Sequence, residues 1–279
     1  MKATYKDHMG TDLSVVNAAR VSFGKESNWV NVHAAFRDAG EWDIVKELSK
    51  GDKGLIQFLA RGCTSGDWED LVATATTERW EDHVEELLNH IRKMPPHWTP
   101  FAHTAITIHL KMPIFVARQI MKSTTGMVYN EVSRRYVDDE PEFYVPEVWR
   151  KRADNVKQGS GEGEVVMLCL HEDGSQARGL PAIADRSGTV KSSYRRAMFA
   201  MDELYQEMLR SDIAPEQARM VLPQSMYTEV IATGNLYSWA NLYVQRTDAH
   251  AQRETQELAK QIGEICQPLF PVSWEALTQ

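Results

Sequence analysis

Between Arg118 and Arg135 the chain gathers four cations, Arg118, Lys122, Arg134 and Arg135, around one carboxylate, Glu131, and a series of hydroxyl and amide side chains. Arginine meets phosphate oxygens with a planar, bidentate fork, and a loop adds backbone N–H donors, so these residue types at this density suit a phosphorylated ligand. A solvated, salt-bridged loop is the competing reading of such a cluster. Two other groupings invite a chemical reading and give less. His97 and His103 are six residues apart, but Pro100 breaks any continuous helix between them and no third ligand is at hand. His250 and Glu254 have helical i, i+4 spacing, which alone is thin support for a metal. No metal site is expected.

The elements that must carry these residues are readable nearby. Thr104, Ile106, Ile108, Leu110 and Met112 alternate with Ala105, Thr107, His109 and Lys111, the period of a strand with one buried face. Pro113 then opens a helix whose buried face is Ile114, Ala117, Ile120 and Met121, with Arg118 and Lys122 one turn apart on it. Gly126 ends that pattern. Asn130, Glu131, Ser133, Arg134 and Arg135 are expected in an irregular segment before the aromatic, β-branched run from Phe143 to Val145.

The rest of the chain sets bounds. With 279 residues, 43% of them hydrophobic, it can bury a substantial core. A net charge of −8 argues against a general partner for DNA or anionic membranes but leaves room for a local basic pocket. No run approaches the ~20 apolar residues of a membrane span, the N-terminus lacks the apolar core of a secretion signal, and a cytoplasmic location is expected. Cys63, Cys169 and Cys266 have neither disulfide nor zinc spacing, and Cys266 reads as a small core hydrophobe.

Taken in order, Asp12 is expected to cap a helix through Leu13, Val16 and Ala19, with Ser22 in the turn after it a weak candidate for a phosphate contact. A short helix is expected near Trp42 to Leu48 and a helical fragment at Leu55 to Leu59. Stretches near 61–77 and 151–191, rich in Gly, Ser and Asp, read as insertions. A helix from Glu78 places Trp80, Val84, Leu87, Leu88 and Ile91 on one face. Helices over Arg195 to Arg210 and from Pro215 to Leu222 follow, and one long helix is expected from Asn235 to about Gln267, with Arg246, His250 and Arg253 on a common face.

Several of these blocks resemble the flavin-dependent thymidylate synthases, whose family pattern is Arg-His-Arg, seven residues, then Ser. The resemblance runs through Arg118-Gln119-x-x-Lys122, then Asn130-Glu131-Val132-Ser133-Arg134-Arg135-Tyr136 and Glu142-Phe143-Tyr144-Val145-Pro146. It extends to Asn17-Ala18-Ala19-Arg20-Val21-Ser22-Phe23, His97-x-Thr99-Pro100-Phe101-x-His103, Ala218-Arg219-Met220-Val221-Leu222-Pro223 and the block from Asn235 to Gln252. It implies an α+β fold, an antiparallel sheet packed with long helices, in a single domain over 1–279 that carries the two insertions. It implies a methyltransferase that converts dUMP to dTMP, with methylenetetrahydrofolate as one-carbon donor, FAD as relay and NADPH as reductant, in a homotetramer with shared sites.

Carried over position by position, the nucleotide pocket falls on Gln119, Lys122, Glu131, Ser133, Arg134, Arg135, Arg219 and Arg246. Arg135 and Arg219 hold the phosphate, Ser133 serves binding, and Arg246 is the catalytic group that favours the ionised uracil ring. The flavin site falls on His97, Thr99, Lys122, Ser123, Thr124, Glu131, Asn235, Tyr237 and Asn241. The chain also departs from the pattern: Lys122-Ser123-Thr124 replaces Arg-His-Arg, eight residues separate it from Ser133, and Arg134 stands where the family usually has Gly. These departures leave open a hydroxymethylated product, dCMP as substrate, or a nucleotide-binding paralogue without the chemistry.

Overall fold

The computed structural model describes residues 1–33, 44–61, 97–153, 160–161, 163–166 and 189–278. The expected helix from Glu78 lies outside them, as do Cys63, Cys169 and most of the stretches near 61–77 and 151–191.

Four strands form one antiparallel sheet in the order β1-β4-β6-β5, with β1 Lys2–Met9, β4 Ala105–Pro113, β5 Met127–Glu131 and β6 Tyr227–Gly234. A separate antiparallel pair joins β2 Val30–His33 to β3 Ile44–Glu47. β3 occupies the ground where a short helix near Trp42 to Leu48 was expected; Ile44 and Val45 are β-branched and pair with His33 and Val32.

The period-2 reading of β4 holds. Ile106, Ile108, Leu110 and Met112 are fully buried, and Val230 and Ala232 of β6 extend the same apolar face. Onto that face pack α4 Ile114–Ile120, α7 Leu236–Thr247 and α8 Arg253–Leu269. Trp239 of α7 is fully buried and donates Nε1 to Ile106 O at 3.0 Å, so its one polar atom is satisfied by the strand beneath it. Gly234 makes room for this contact, since a Cβ there would collide with Met127 and crowd the Trp239 ring.

The remaining helices are α1 Asp12–Arg20, α2 Lys50–Arg61, α3 Thr99–Ala102, α5 Val190–Arg210, α6 Pro215–Ala218 and α9 Pro271–Thr278. Thr11, not Asp12, is the N-cap of α1. The buried Asp12 carboxylate instead accepts from Val272 N and Ser273 N, both at 2.9 Å, so an anion from the start of the chain caps the helix at its end. A second buried carboxylate, Asp52, accepts from Arg20, Ser27 and Ser49 and ties α1 to α2. Burial pushes its carboxyl up, and the bonds from Ser49, Ser27 and Arg20 outweigh that and hold it below the usual range.

The single long helix expected from Asn235 to Gln267 is two helices. Asp248 accepts from His250 N at 2.8 Å through its own side chain, a local turn that breaks the axis before Gln252 restarts it as the N-cap of α8. Arg246, His250 and Arg253 therefore do not share a helix face. Cys266 is fully buried, as expected, and burial pushes its thiol well up.

Candidate functional site

α4 spans seven residues, so Lys122 lies past its end, in the turn that leads to β5, and not on a helix face with Arg118. Asn130 and Glu131 belong to β5 and not to an irregular segment. The last carbonyls of a short helix have no partner within it, and here two side chains supply them. Arg246, in the last turn of α7, donates Nη2 to Gln119 O at 2.8 Å. Tyr129, on β5, donates its hydroxyl to Ser123 O at 2.7 Å and lies 3.3 Å from Ile120 O. Burial pushes the Tyr129 phenol up to about 12, against the opposing pull of the Arg246 charge, so it stays a proton donor at neutral pH. Arg246 Nε is buried and has no partner. The guanidinium is thus anchored at one nitrogen and retains unspent donors.

The Gln119 side chain turns toward α8. Its Nε2 donates to Gln252 Oε1 at 2.7 Å, and its Oε1 accepts from Thr255 Oγ1 at 3.1 Å. Glu254, between those partners in sequence, is buried and accepts from Arg150 Nη2 with both oxygens at 2.8 and 2.9 Å.

A second grouping lies at the other end of β5. Glu131, Ser133, Arg134, Arg135 and Arg219 line a cavity of about 350 Å³ with Ile114, Leu222, Met226, Tyr227 and Thr228. Thr228 donates to Glu131 at 2.7 Å. Arg134 is spent on Asp139, whose carboxylate it meets at 2.9 Å and whose carbonyl it also binds. Arg135 rests its Nε 3.3 Å from Ser133 Oγ and its cation over the Tyr136 ring, while Arg219 donates only to Glu216 O at 3.3 Å. Both are exposed, and neither has a carboxylate partner among the described residues. Two free guanidiniums beside a hydroxyl suit an anion.

A third grouping forms around the start of α7. Asn235 caps that helix by accepting from Ser238 N at 2.9 Å, and Ser238 Oγ reaches Thr125 O at 2.7 Å. The turn carrying Lys122, Ser123 and Thr124 is pressed against it at Gly126, whose φ of +68° suits glycine and where a Cβ would strike Asn235 and Ser238. Trp98 faces Tyr237 with ring centroids 5.7 Å apart, which brings the exposed His97 and Thr99 to the same place; His97 itself stacks on Phe58 at 5.4 Å. Asn241 lies one turn beyond Tyr237 and is exposed. Glu131 is apart from this group, four residues up β5, roughly 13 Å along the strand.

Sequence reasoning missed Tyr129, Gln252 and Thr255. Asp248 was the signal for the last two, since an Asp two residues before a free N–H favours a turn over a continued helix. No cluster of three or more metal-binding side chains occurs among the described residues, and no helix among them is long and apolar enough to cross a membrane.

The fold is similar to that of two solved structures of a UMP/dUMP methylase, PolB, from Streptomyces cacaoi. One is bound with 5-Br dUMP (28% identity, TM-score 0.62, 99% of this chain and 94% of that one) and one with 5-Br UMP (26%, TM-score 0.63, 99% and 93%). Curated relatives named flavin-dependent thymidylate synthase include those of Kosmotoga olearia, 33% identical over 96% of this chain and 86% of its own, and Thermosipho africanus, 31% identical over 97% and 87%. The family model described as thymidylate synthase complementing protein matches residues 6–272. The chain belongs to this family, and is a flavin-dependent enzyme of methyltransferase type.

Proposed function

We propose that the enzyme transfers a one-carbon unit from methylenetetrahydrofolate to C5 of dUMP and forms dTMP, with FAD as its flavin and NADPH as reductant. The observation that carries this reading is Arg246: a guanidinium anchored on Gln119 O, with a buried, unspent Nε beside it. A fixed cation at the edge of a uracil ring stabilises negative charge on that ring and so raises the nucleophilicity of C5, without reorganisation during the reaction. A protein thiolate is not needed for this, and the buried, proton-holding Cys266 is unfit to supply one. Arg135 and Arg219 bind the phosphate, with Ser133 and Glu131 beside them. Lys122 adds a single mobile charge, and Arg134, spent on Asp139, shapes the cavity wall in place of a direct contact.

The grouping around the start of α7 fits a flavin dinucleotide. The exposed Trp98 and the partly buried Tyr237 offer a planar surface, and the hydroxyls of Ser123 and Thr124 offer donors for a diphosphate. His97, Thr99, Lys122, Asn235 and Asn241 complete the set that would hold it. A flavin held there would supply hydride and a relay for the one-carbon unit, while the chain's own residues would orient the rings and exclude water. Arg246 does not line the cavity of Arg135 and Arg219 within one chain, which favours sites completed by a second copy in a homotetramer.

A second reading keeps the chemistry and changes the nucleotide. The likeness to a UMP/dUMP methylase, together with two hydroxyls at Ser123 and Thr124 where the family carries an imidazole and a guanidinium, favours UMP, dCMP or a hydroxymethylated product. Incubation with FAD, NADPH and methylenetetrahydrofolate, separately with dUMP, UMP and dCMP, followed by mass spectrometry of the nucleotide, decides between them. Exclusive dTMP from dUMP is expected; a methylated ribonucleotide or a hydroxymethyl product establishes the second reading.

A further inference from the structure

Gln252 breaks a local rule. It is the N-cap of α8, where Ser, Thr, Asp or Asn ordinarily turns back on the free N–H groups of the helix, and its side chain makes no such bond. It is spent on Gln119 instead, at 2.7 Å. Thr255, fully buried in the first turn of the same helix, is spent on Gln119 too, at 3.1 Å. Two residues of one helix end are thus committed to a single amide on another helix. Places where local sequence rules give way are where functional demands are expected.

The sense of these bonds follows from one group that cannot reverse. Gln119 Nε2 lies 3.4 Å from Phe115 O, and a carbonyl only accepts, so the amide nitrogen is held on that side. Its two N–H groups then go to Phe115 and Gln252, and Oε1 is left for the Thr255 hydroxyl. Gln252 must present its own oxygen. One lone pair of Gln119 Oε1 remains uncommitted. Glu254, held by Arg150, keeps this turn of α8 in place.

We propose that Gln252 and Thr255 are positioning residues for nucleotide recognition: they fix the rotation and the oxygen–nitrogen sense of the Gln119 amide, so that it meets the pyrimidine as an acceptor for a ring or exocyclic N–H. This rests on the reading above that Gln119 contacts the nucleotide. Neither Gln252 nor Thr255 touches the ligand. With the Thr255 hydroxyl gone, Gln119 loses the donor that holds its oxygen, and its amide samples other rotations.

Calorimetric titration of the flavin-loaded enzyme with dUMP tests this in the parent, Thr255→Val, Thr255→Ser, Gln252→Leu and Gln252→Glu. Thr255→Val and Gln252→Leu, which remove the bonding groups, should weaken dUMP about five- to tenfold, the usual effect of one lost hydrogen bond. Thr255→Ser and Gln252→Glu, which keep the hydroxyl and the acceptor, should stay within about twofold of the parent. Flavin content should not change in any of them, and melting temperature should fall by no more than the few degrees that one lost hydrogen bond costs. Parent-like affinity in Thr255→Val and Gln252→Leu overturns the positioning role and leaves the proposed function intact. Equal losses in Thr255→Val and Thr255→Ser, in step with lost flavin or lower melting temperature, assign Thr255 to packing and overturn it as well. A parent that binds no dUMP overturns the proposed function and this inference with it.

Discussion

Arg246 and Arg219 each end a helical segment, yet they are built into the molecule differently. Arg246 is half-buried and holds the C-terminal carbonyl of a neighbouring helix, with a shielded nitrogen still free. Arg219 is exposed and leans only on the carbonyl of its own turn. An anchored guanidinium has lost its freedom before any ligand arrives, so it can act on charge that develops during a reaction. A loose one captures a charged ligand and loses its freedom only then. The contrast predicts that the two arginines affect different kinetic constants.

Arg246→Ala should therefore lower kcat by roughly 100- to 1000-fold, the usual loss for one preorganised donor, with a fold that stays intact and a melting temperature lowered only by the lost bond to Gln119 O. Steady-state dTMP formation with a thermal melt measures both. Turnover near the parent's would erase the distinction between the arginines. A third arginine supplies the structural control. Arg20 is bonded to buried Asp52, and Asp52→Ala, which strands that cation, should cost roughly 3 kcal/mol of stability by denaturant unfolding. Because the Asp52 carboxyl is held below its ordinary value, its contribution is whole above about pH 4 and is lost as the pH falls through the lowered folded value. A parent whose stability is flat from pH 5 to pH 2 would count against that bond network.

Arg219→Ala should leave kcat within a few-fold and weaken the nucleotide by roughly 10- to 100-fold, the range for a hydrogen bond to a charged group. Raising the salt should narrow the gap, since an exposed charge is screened. A fall in kcat with unchanged affinity would make Arg219 resemble Arg246 and break the comparison.

How much of this was legible differs by element. β4 announced itself, because a strand with one face on the core must alternate, and Ile106 to Met112 do so without exception. The cation cluster also announced itself, and four of its members, Glu131, Ser133, Arg134 and Arg135, do line one cavity. Arg219 joins them from far along the chain, a placement that came from resemblance, since no local periodicity encodes it. The break between α7 and α8 was missed because helical spacing continues across it, while Asp248 turns the backbone through its own side chain. The purpose of Tyr129 was illegible for a different reason. Its value lies in two carbonyls, Ile120 O at the end of α4 and Ser123 O in the turn after it, and where those point depends on where the helix stops.

Tyr129 gives the smallest expected effect and the finest test of the idea that anchoring distinguishes Arg246. Its hydroxyl meets Ser123 O and Ile120 O, next to the Gln119 carbonyl that Arg246 holds, so the two side chains share the end of one helix. Tyr129→Phe keeps the ring and removes the bonds. It should cost about 1 kcal/mol of stability and lower kcat only a few-fold, because the Arg246 bond itself survives. The pH dependence reads the burial of the hydroxyl directly. Burial pushes the phenol up to about 12, so the folded state keeps a proton that the unfolded chain sheds near 10, and that part of the parent's stability falls as the pH rises from about 10 toward 12. Tyr129→Phe lacks that group, so the stability gap between the two proteins should narrow over the same range. A gap that stays constant to pH 11 would mean that burial against the end of α4 does not hold the proton on this phenol, and the placement of Tyr129 beside the Arg246 anchor would fall with it.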